Sequence, residues 1–382
     1  MMRKIYRNLF GKRRVESRVR YLIIANNSGG LYRFRKDLIK RLLSDGYEVY
    51  AITPFDESID ELKRLGVKLI EQTMNRRGTN PMQEIRLLLD YWRIVNCVQP
   101  DVIVTYTIKP GIYGGLMASR MKIPYAVNIT GLGTAFEKAG FFREIIVRLW
   151  KTALRSAKCV FFENEENAQI FCDLSIVKKE QIHVLHGAGV NLEDFPFAEY
   201  PEDESLIHFL FIGRIMREKG MDELLEAIEC LQQQYRNVRL DILGRCEEHY
   251  ELRLKELEER GIIKYYGYQE DVQTYIRQAH VFVLPSYHEG MANTLLEAAA
   301  MGRPLITSNI HGCMEAVLDG ETGYLCEVKN SESLMHQMEQ FMNLSYQQKC
   351  SMGKKSHDYV AEYFDKKNIV QETVEILYEM EH

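Results

Sequence analysis

Short apolar runs alternate with amphipathic, charge-bearing stretches along the whole chain, and that rhythm reads as successive strand–helix units building a parallel sheet covered by helices. It runs twice. In the first half the expected strands are 21–25, 48–52, 67–70, 102–106, 125–129, 160–163 and 182–185, with helical patterns between them. After a break the second half brings 208–212, 239–243, 262–266, 281–285, 304–307 and 324–326. The break, residues 191–205, holds Pro196, Pro201 and the acidic run Glu202-Asp203-Glu204, the composition of a linker. At 382 residues the chain exceeds one ordinary core. The expected fold is therefore α/β: two doubly wound, Rossmann-like domains, 21–190 and 206–364, facing across a cleft. A basic arm (1–20) precedes them, and a helix (365–382) follows that is expected to cross back to the N-terminal domain.

Charge excludes some functions and leaves others open. A net charge of −5 is the opposite of a phosphate-tracking surface, so no nucleic-acid partner is expected. The first twenty residues depart from that balance, with Arg13 and Arg14 among eight cations against Glu16 alone. Such an arm suits either an anionic membrane surface or plain solvation. No run approaches the apolar length of a signal peptide or a membrane span, which predicts a cytoplasmic protein, peripheral on the inner face of the cell membrane if it meets lipid. Eight cysteines without a C-x-x-C pair read as free structural thiols.

In doubly wound sheets ligands sit beyond the carboxyl ends of the strands, so the segments following strands carry the candidates. After 208–212 comes Gly213-Arg214, then Lys219-Gly220: two cations suited to a diphosphate, or two surface charges flanking a tight turn. After 281–285 the run from Ser286 includes Glu289, Gly290, Met291, Ala292, Asn293, Thr294 and Glu297, leading into a helix whose first amides can bind phosphate. Over eight residues of unbroken helix the two glutamates would stand about 12 Å apart, too far to share a proton but suited to opposite ends of a sugar nucleotide. Glu297 is placed to accept from ribose hydroxyls and Glu289 from a sugar hydroxyl. Gly29 and Gly30 form a further turn that either faces a diphosphate or only bends the chain. Gly131 and Gly133 lack the third glycine of a dinucleotide fingerprint, because Phe136 occupies its place. His186 and His288 adjoin these segments and are read as structural.

Together, Gly213-Arg214 with Lys219-Gly220, the Glu289–Glu297 spacing, Gly302-Arg303-Pro304 and Asp319-Gly320 with Gly323 resemble a retaining glycosyltransferase of family 4 with GT-B architecture, over essentially the whole chain. The resemblance implies that Arg214 and Lys219 bind the donor diphosphate, Glu297 the ribose and Glu289 the donor sugar, with Arg214, Lys219 and Glu289 the catalytic set. Lys109, Tyr113, Asn128, Thr130 and Gly131 lie in segments similar to bacterial enzymes that extend polyprenyl-diphosphate-linked glycans for capsule, O-antigen or glycoprotein assembly, and are expected near acceptor or sugar. Many members of the family carry a histidine where this chain offers Asn128, Thr130 and Gly131.

The expected donor is a UDP-sugar, and the expected acceptor a lipid-linked glycan. No cofactor is implied: without a D-x-D clamp, charge neutralisation falls to Arg214, Lys219 and helix dipoles. Phe141, Phe142, Arg148 and Trp150 lie on a basic, aromatic helical pattern expected either at an anionic membrane or against the core. A sugar-nucleotide epimerase and a non-catalytic glycan-binding protein of the same fold are the rival readings.

Overall fold

The structure, a computed structural model, describes residues 18–72, 80–132 and 140–381. Arg13, Arg14 and the rest of the arm to residue 17, together with Gly133 and Phe136, lie outside the described residues. The chain forms two compact units, Met1–Ala188 with Lys367–His382, and Gly189–Lys366.

The first unit is built on a parallel sheet. Its described strands are β1 (Arg20–Ile24), β2 (Glu48–Thr53), β3 (Lys68–Glu71), β4 (Val102–Tyr106), β5 (Tyr125–Ile129), β6 (Cys159–Phe162) and β7 (Ile182–Val184), in the order β3-β2-β1-β4-β5-β6-β7. Alternate residues of β1 serve opposite faces. Leu22 and Ile24 join one core with Tyr91, Met117 and Trp150, whereas Tyr21 and Ile23 join another with Leu38, Leu42 and Leu377. Helix Ser28–Ser44 starts where Asn27 caps the Gly30 amide, and helix Ile59–Leu65 stops at Gly66, whose φ of 98° a side chain would resist. Leu377 lies on the last helix, Lys366–Glu379, whose burial against this face is worth about 1.5–3 kcal/mol per large apolar side chain.

The second unit repeats the design with β8 (Ile207–Ile212), β9 (Val238–Leu243), β10 (Ile263–Tyr265), β11 (Val281–Leu284), β12 (Leu305–Ser308) and β13 (Gly323–Cys326), in the order β10-β9-β8-β11-β12-β13. The expected pair of doubly wound parallel sheets is thus the observed fold. Each sheet reverses direction once, between β1 and β4 in the first unit and between β8 and β11 in the second, and such switch points open crevices for ligands.

Two expectations change. Residues 191–205 are not a free linker: Tyr200 is buried, and the fully buried Arg303 guanidinium donates to the carbonyls of Ala198 and Glu199, the latter at 2.8 Å. Arg303 of the late Gly-Arg-Pro run is therefore a structural clamp, and burial holds its guanidinium down at about 10. Trp150 is not a membrane residue. On helix Phe141–Leu154 it shares the sheet-facing side with Ala153 and Leu154, its ring meets Phe171 edge-on at 5.7 Å, and a Cβ on Gly111 would come within 2.6 Å of it. Arg148 of the same helix is exposed, and Phe141 and Phe142 form its first turn.

Candidate active site

In the second unit the loops that follow the adjacent strands β8 and β11 are stitched together by backbone. Gly220 adopts φ 70°, and a Cβ there would lie 2.0 Å from the Pro285 carbonyl oxygen. The Tyr287 amide donates to the Glu218 carbonyl at 2.8 Å. This contact sets Lys219, at the end of a single turn Arg217–Lys219, against Glu289: the ammonium donates to Oε1 of that carboxylate. Ser286, fully buried, donates its hydroxyl to the same oxygen at 2.8 Å. The side chains of Lys219 and Glu289 are 17% and 13% exposed, so the pair is shielded without being sealed. The buried Cys313 thiol is pushed up, first by burial and then by the Glu289 charge.

Around this pair stand the other candidates. Gly312, at φ 87°, lets its loop press against the carbonyls of Glu289 and Gly290, and the Ala292 amide donates to the Gly312 carbonyl at 2.8 Å. Met291 and Ala292 are buried beneath the loop. The helix begins only at Asn293 and runs to Ala300, so Glu289 and Glu297 are separated by loop plus a little over one turn. The unbroken-helix spacing of 12 Å does not apply. Among the described residues no side chain caps that helix start, and Asn293 Oδ1 is buried without a hydrogen-bond partner. Thr294 is half-buried, and Glu297, the fifth residue of the helix, is 6% exposed. Arg214 stands apart from Lys219: half-exposed, it pairs with Glu247 at 3.1 Å, an exposed contact worth at most about 1 kcal/mol. Gly213 approaches the Gly244 turn so closely that a Cβ on Gly244 would meet the Gly213 carbonyl oxygen at 1.7 Å.

In the first unit, β1 leads into a turn whose amides are largely committed. The Ser28 amide donates to Asp56 at 2.9 Å, and the Gly30 amide to Asn27. Gly29 lies against the Glu57 carboxylate, which a Cβ would meet at 2.9 Å. After β4 the backbone is strained: Thr107 adopts φ 75°, and Pro110–Gly114 form a wide π-helical turn of the kind found at functional sites. Lys109 reaches Glu84 at 2.6 Å, with side-chain exposures of 16% and 14%. The Tyr113 hydroxyl is pushed up by burial first and by the Glu84 charge second. The hydroxyls of Thr105 and Thr107 and Glu84 Oε2 are buried without hydrogen-bond partners, while the buried Asn128 amide donates to the Thr105 carbonyl at 3.3 Å. Thr130 and Gly131 follow β5, half-buried, Gly131 at φ 137°.

Three features had no sequence signal strong enough to find them. Arg35, from helix Ser28–Ser44, bonds Glu163 just after β6 at 3.2 Å and covers the Tyr106 ring at 4.6 Å. Ser286 shares the Glu289 oxygen with Lys219. Thr107 takes a left-handed backbone without being glycine. The position of Ser286 two residues after β11 was the one available hint. His186 and His288 are both exposed.

Comparison with known proteins follows the same division. Residues 22–164 match the family model described as Glycosyl transferase 4-like, and residues 193–359 match Glycosyl transferases group 1. The chain is 29% identical over 328 residues to the N,N'-diacetylbacillosaminyl-diphospho-undecaprenol alpha-1,3-N-acetylgalactosaminyltransferase of Campylobacter jejuni, covering 81% of this chain and 86% of that one. It is 26% identical over 280 residues to the UDP-Gal:alpha-D-GlcNAc-diphosphoundecaprenol alpha-1,3-galactosyltransferase of Escherichia coli, covering 68% and 71%. Among solved structures, Anabaena HepE in complex with UDP-glucose superposes with a TM-score of 0.76 at 18% identity, over 94% of this chain and 99% of that one. At that identity the likeness is one of fold.

Proposed function

We propose, from the premise that this chain is a glycosyltransferase with a glycosyl transferase 4-like domain followed by a group 1 domain, that it moves a hexosyl or N-acetylhexosaminyl group from a UDP-sugar to a polyprenyl-diphosphate-linked glycan. Reaction with retention and without a metal belongs to the same reading. The acceptor class is supported by the two relatives, whose names both specify a diphospho-undecaprenol sugar.

One observation carries the donor half: Lys219 and Glu289, from the segments that follow β8 and β11, meet at the switch point of the second sheet beside an uncapped helix start. A sugar nucleotide entering there offers Lys219 a diphosphate in exchange for the carboxylate. Arg214 can leave its exposed partner Glu247 for the same charge. Both cations then neutralise the charge that grows on the departing diphosphate, and the helix start adds its positive end. Glu289, still held by Ser286 at Oε1, accepts from a hydroxyl of the donor sugar in place of the lysine, and the buried Glu297 accepts from ribose. In a retaining displacement the leaving diphosphate itself takes the proton of the attacking acceptor hydroxyl, on the face it vacates. No carboxylate is needed as a base.

Lys219→Ala tests the assignment. One charged contact is worth about 1.5–3 kcal/mol, so turnover should fall roughly 10- to 150-fold. The fold should lose little, because Glu289 keeps the Ser286 hydroxyl. Full turnover in that variant, measured with a panel of UDP-sugars and diphosphate-linked acceptors, would remove Lys219 from the chemistry. Release of a rearranged sugar without acceptor would replace transfer by epimerisation.

A further inference from the structure

Helix Pro81–Val98 of the first unit has two apolar sides. One is buried, through Leu87, Tyr91, Ile94, Val95 and Val98. The other carries Met82, Ile85, Leu89 and Trp92, which are 80%, 61%, 49% and 52% exposed. Their 3-4-3 spacing places them within an arc of about 80°, roughly opposite the buried side. Arg86 and Arg93, both exposed, border that arc. A water-facing stripe of four large apolar side chains on one helix is not the scatter of single residues normal to a soluble surface.

The neighbours of this helix say what would cover it. Helices Gly115–Met121 and Phe141–Leu154 serve the same core on the same face of the sheet, through Met117, Ala118, Trp150 and Leu154. Their exposed sides present Arg120, Arg148 and Lys151. Against these cations the three helices expose Glu144, while Asp90 is partly buried and bonds Arg93 at 3.3 Å. No described helix is long and apolar enough to cross a membrane. An apolar stripe with tryptophan at its edge, bordered by cations, is the arrangement that lies in the plane of a bilayer surface. A second copy of the chain fits poorly, since a two-fold contact would bring the same cations face to face.

We infer that the stripe Met82, Ile85, Leu89 and Trp92, with the cations beside it, docks the first unit on an anionic lipid bilayer. The inference rests on the lipid-linked acceptor proposed above; it keeps Arg148 at the membrane face and puts Trp92 there in place of Trp150.

The sequence contains two tryptophans, and Trp150 is buried, so Trp92 emission reports on this face. Full-length protein should show a blue shift with phosphatidylcholine vesicles containing phosphatidylglycerol, quenched by bilayer-embedded bromolipid, and a much smaller shift with phosphatidylcholine alone. W92F should abolish the signal. In vesicle sedimentation L89S/W92S should weaken binding at least tenfold, and R148Q/K151Q roughly 25-fold, each cation near an anionic surface contributing about fivefold. L252S, which alters an exposed leucine of the second unit, should bind as wild type. Unchanged Trp92 emission on vesicles, or undiminished binding by both double variants, would overturn the inference. So would a concentration-dependent dimer in sedimentation velocity that L89S/W92S dissolves. Transfer to a water-soluble, short-chain diphosphate-linked acceptor should survive in L89S/W92S. If wild type fails on every such acceptor, the acceptor reading falls by itself, and the emission shift still decides the bilayer contact.

Discussion

Two lysine–glutamate pairs of nearly equal burial stand beside the two switch points, Lys109–Glu84 in the first unit and Lys219–Glu289 in the second, yet they are supported in opposite ways. Glu289 has a second donor in Ser286, and the loops around it are locked by backbone contacts. In the first unit one Glu84 oxygen and the hydroxyls of Thr105 and of the strained Thr107 are buried without hydrogen-bond partners. The Lys219–Glu289 arrangement can release its lysine to a ligand and stay folded. The Lys109–Glu84 arrangement leaves buried polar groups of the kind a bound molecule satisfies.

The largest effect should come from breaking the backbone lock. Gly220→Ala sets a methyl into the Pro285 carbonyl at a left-handed φ, and strain plus overlap should cost about 2–5 kcal/mol. The corresponding change in the first unit, Gly29→Ala, meets side chain and no backbone, the Glu57 carboxylate at 2.9 Å and its Cβ at 3.1 Å, and should cost about 1 kcal/mol. Urea unfolding midpoints compare the two, and equal losses would mean that the contrast between the switch points is not one of backbone against side chain.

A smaller loss should separate the ion pairs. Lys109→Met strands Glu84 in a mostly buried site and should cost about 2–3 kcal/mol, somewhat less than for a fully buried pair. Neutralising the partner as well, in Glu84→Gln/Lys109→Met, should return much of that loss. Lys219→Ala should instead act on turnover. If thermal melts show Lys219→Ala to be the more destabilising of the two, the pair in the second unit is scaffold and not ligand site.

This contrast also explains what could be read from the chain beforehand. Parallel strands buried on both faces write themselves as apolar runs, so both sheets and nearly all their strands were legible. The candidate site segments of the second unit were legible too, because Gly213, Gly220 and Glu289 occupy the short stretches that follow β8 and β11. What escaped depends on which side of a helix faces inward. Trp150 and the Met82–Trp92 stripe both lie on amphipathic helices, and of the two alternatives left open for Trp150, membrane or core, the structure shows the core. Arg35–Glu163 joins residues 128 positions apart, and Thr107 holds a backbone that threonine does not advertise. Arg303 looked like part of a motif and proved to be the clamp on residues 198–199.

The smallest expected effect concerns pH and belongs to the second unit alone. His280 Nδ1 accepts the His208 amide at 3.1 Å while Nε2 bonds the Asp203 carbonyl at 3.0 Å, an arrangement that fits the neutral imidazole. Burial holds it down at about 4 from the usual 6.5, and the neighbouring His208, bonded to Asp241 at 2.7 Å, pushes in the same direction. The unfolded chain therefore takes up this proton first. The stabilisation is complete above pH 6.5 and declines as pH falls toward 4, by about 1–2 kcal/mol between pH 6.5 and 5. His280→Gln can keep both hydrogen bonds without titrating, so its melting temperature should fall less steeply over that interval, while the first unit, if it melts separately, should show no difference between the two proteins. Parallel slopes for wild type and His280→Gln in calorimetric melts would assign the acid sensitivity to other groups.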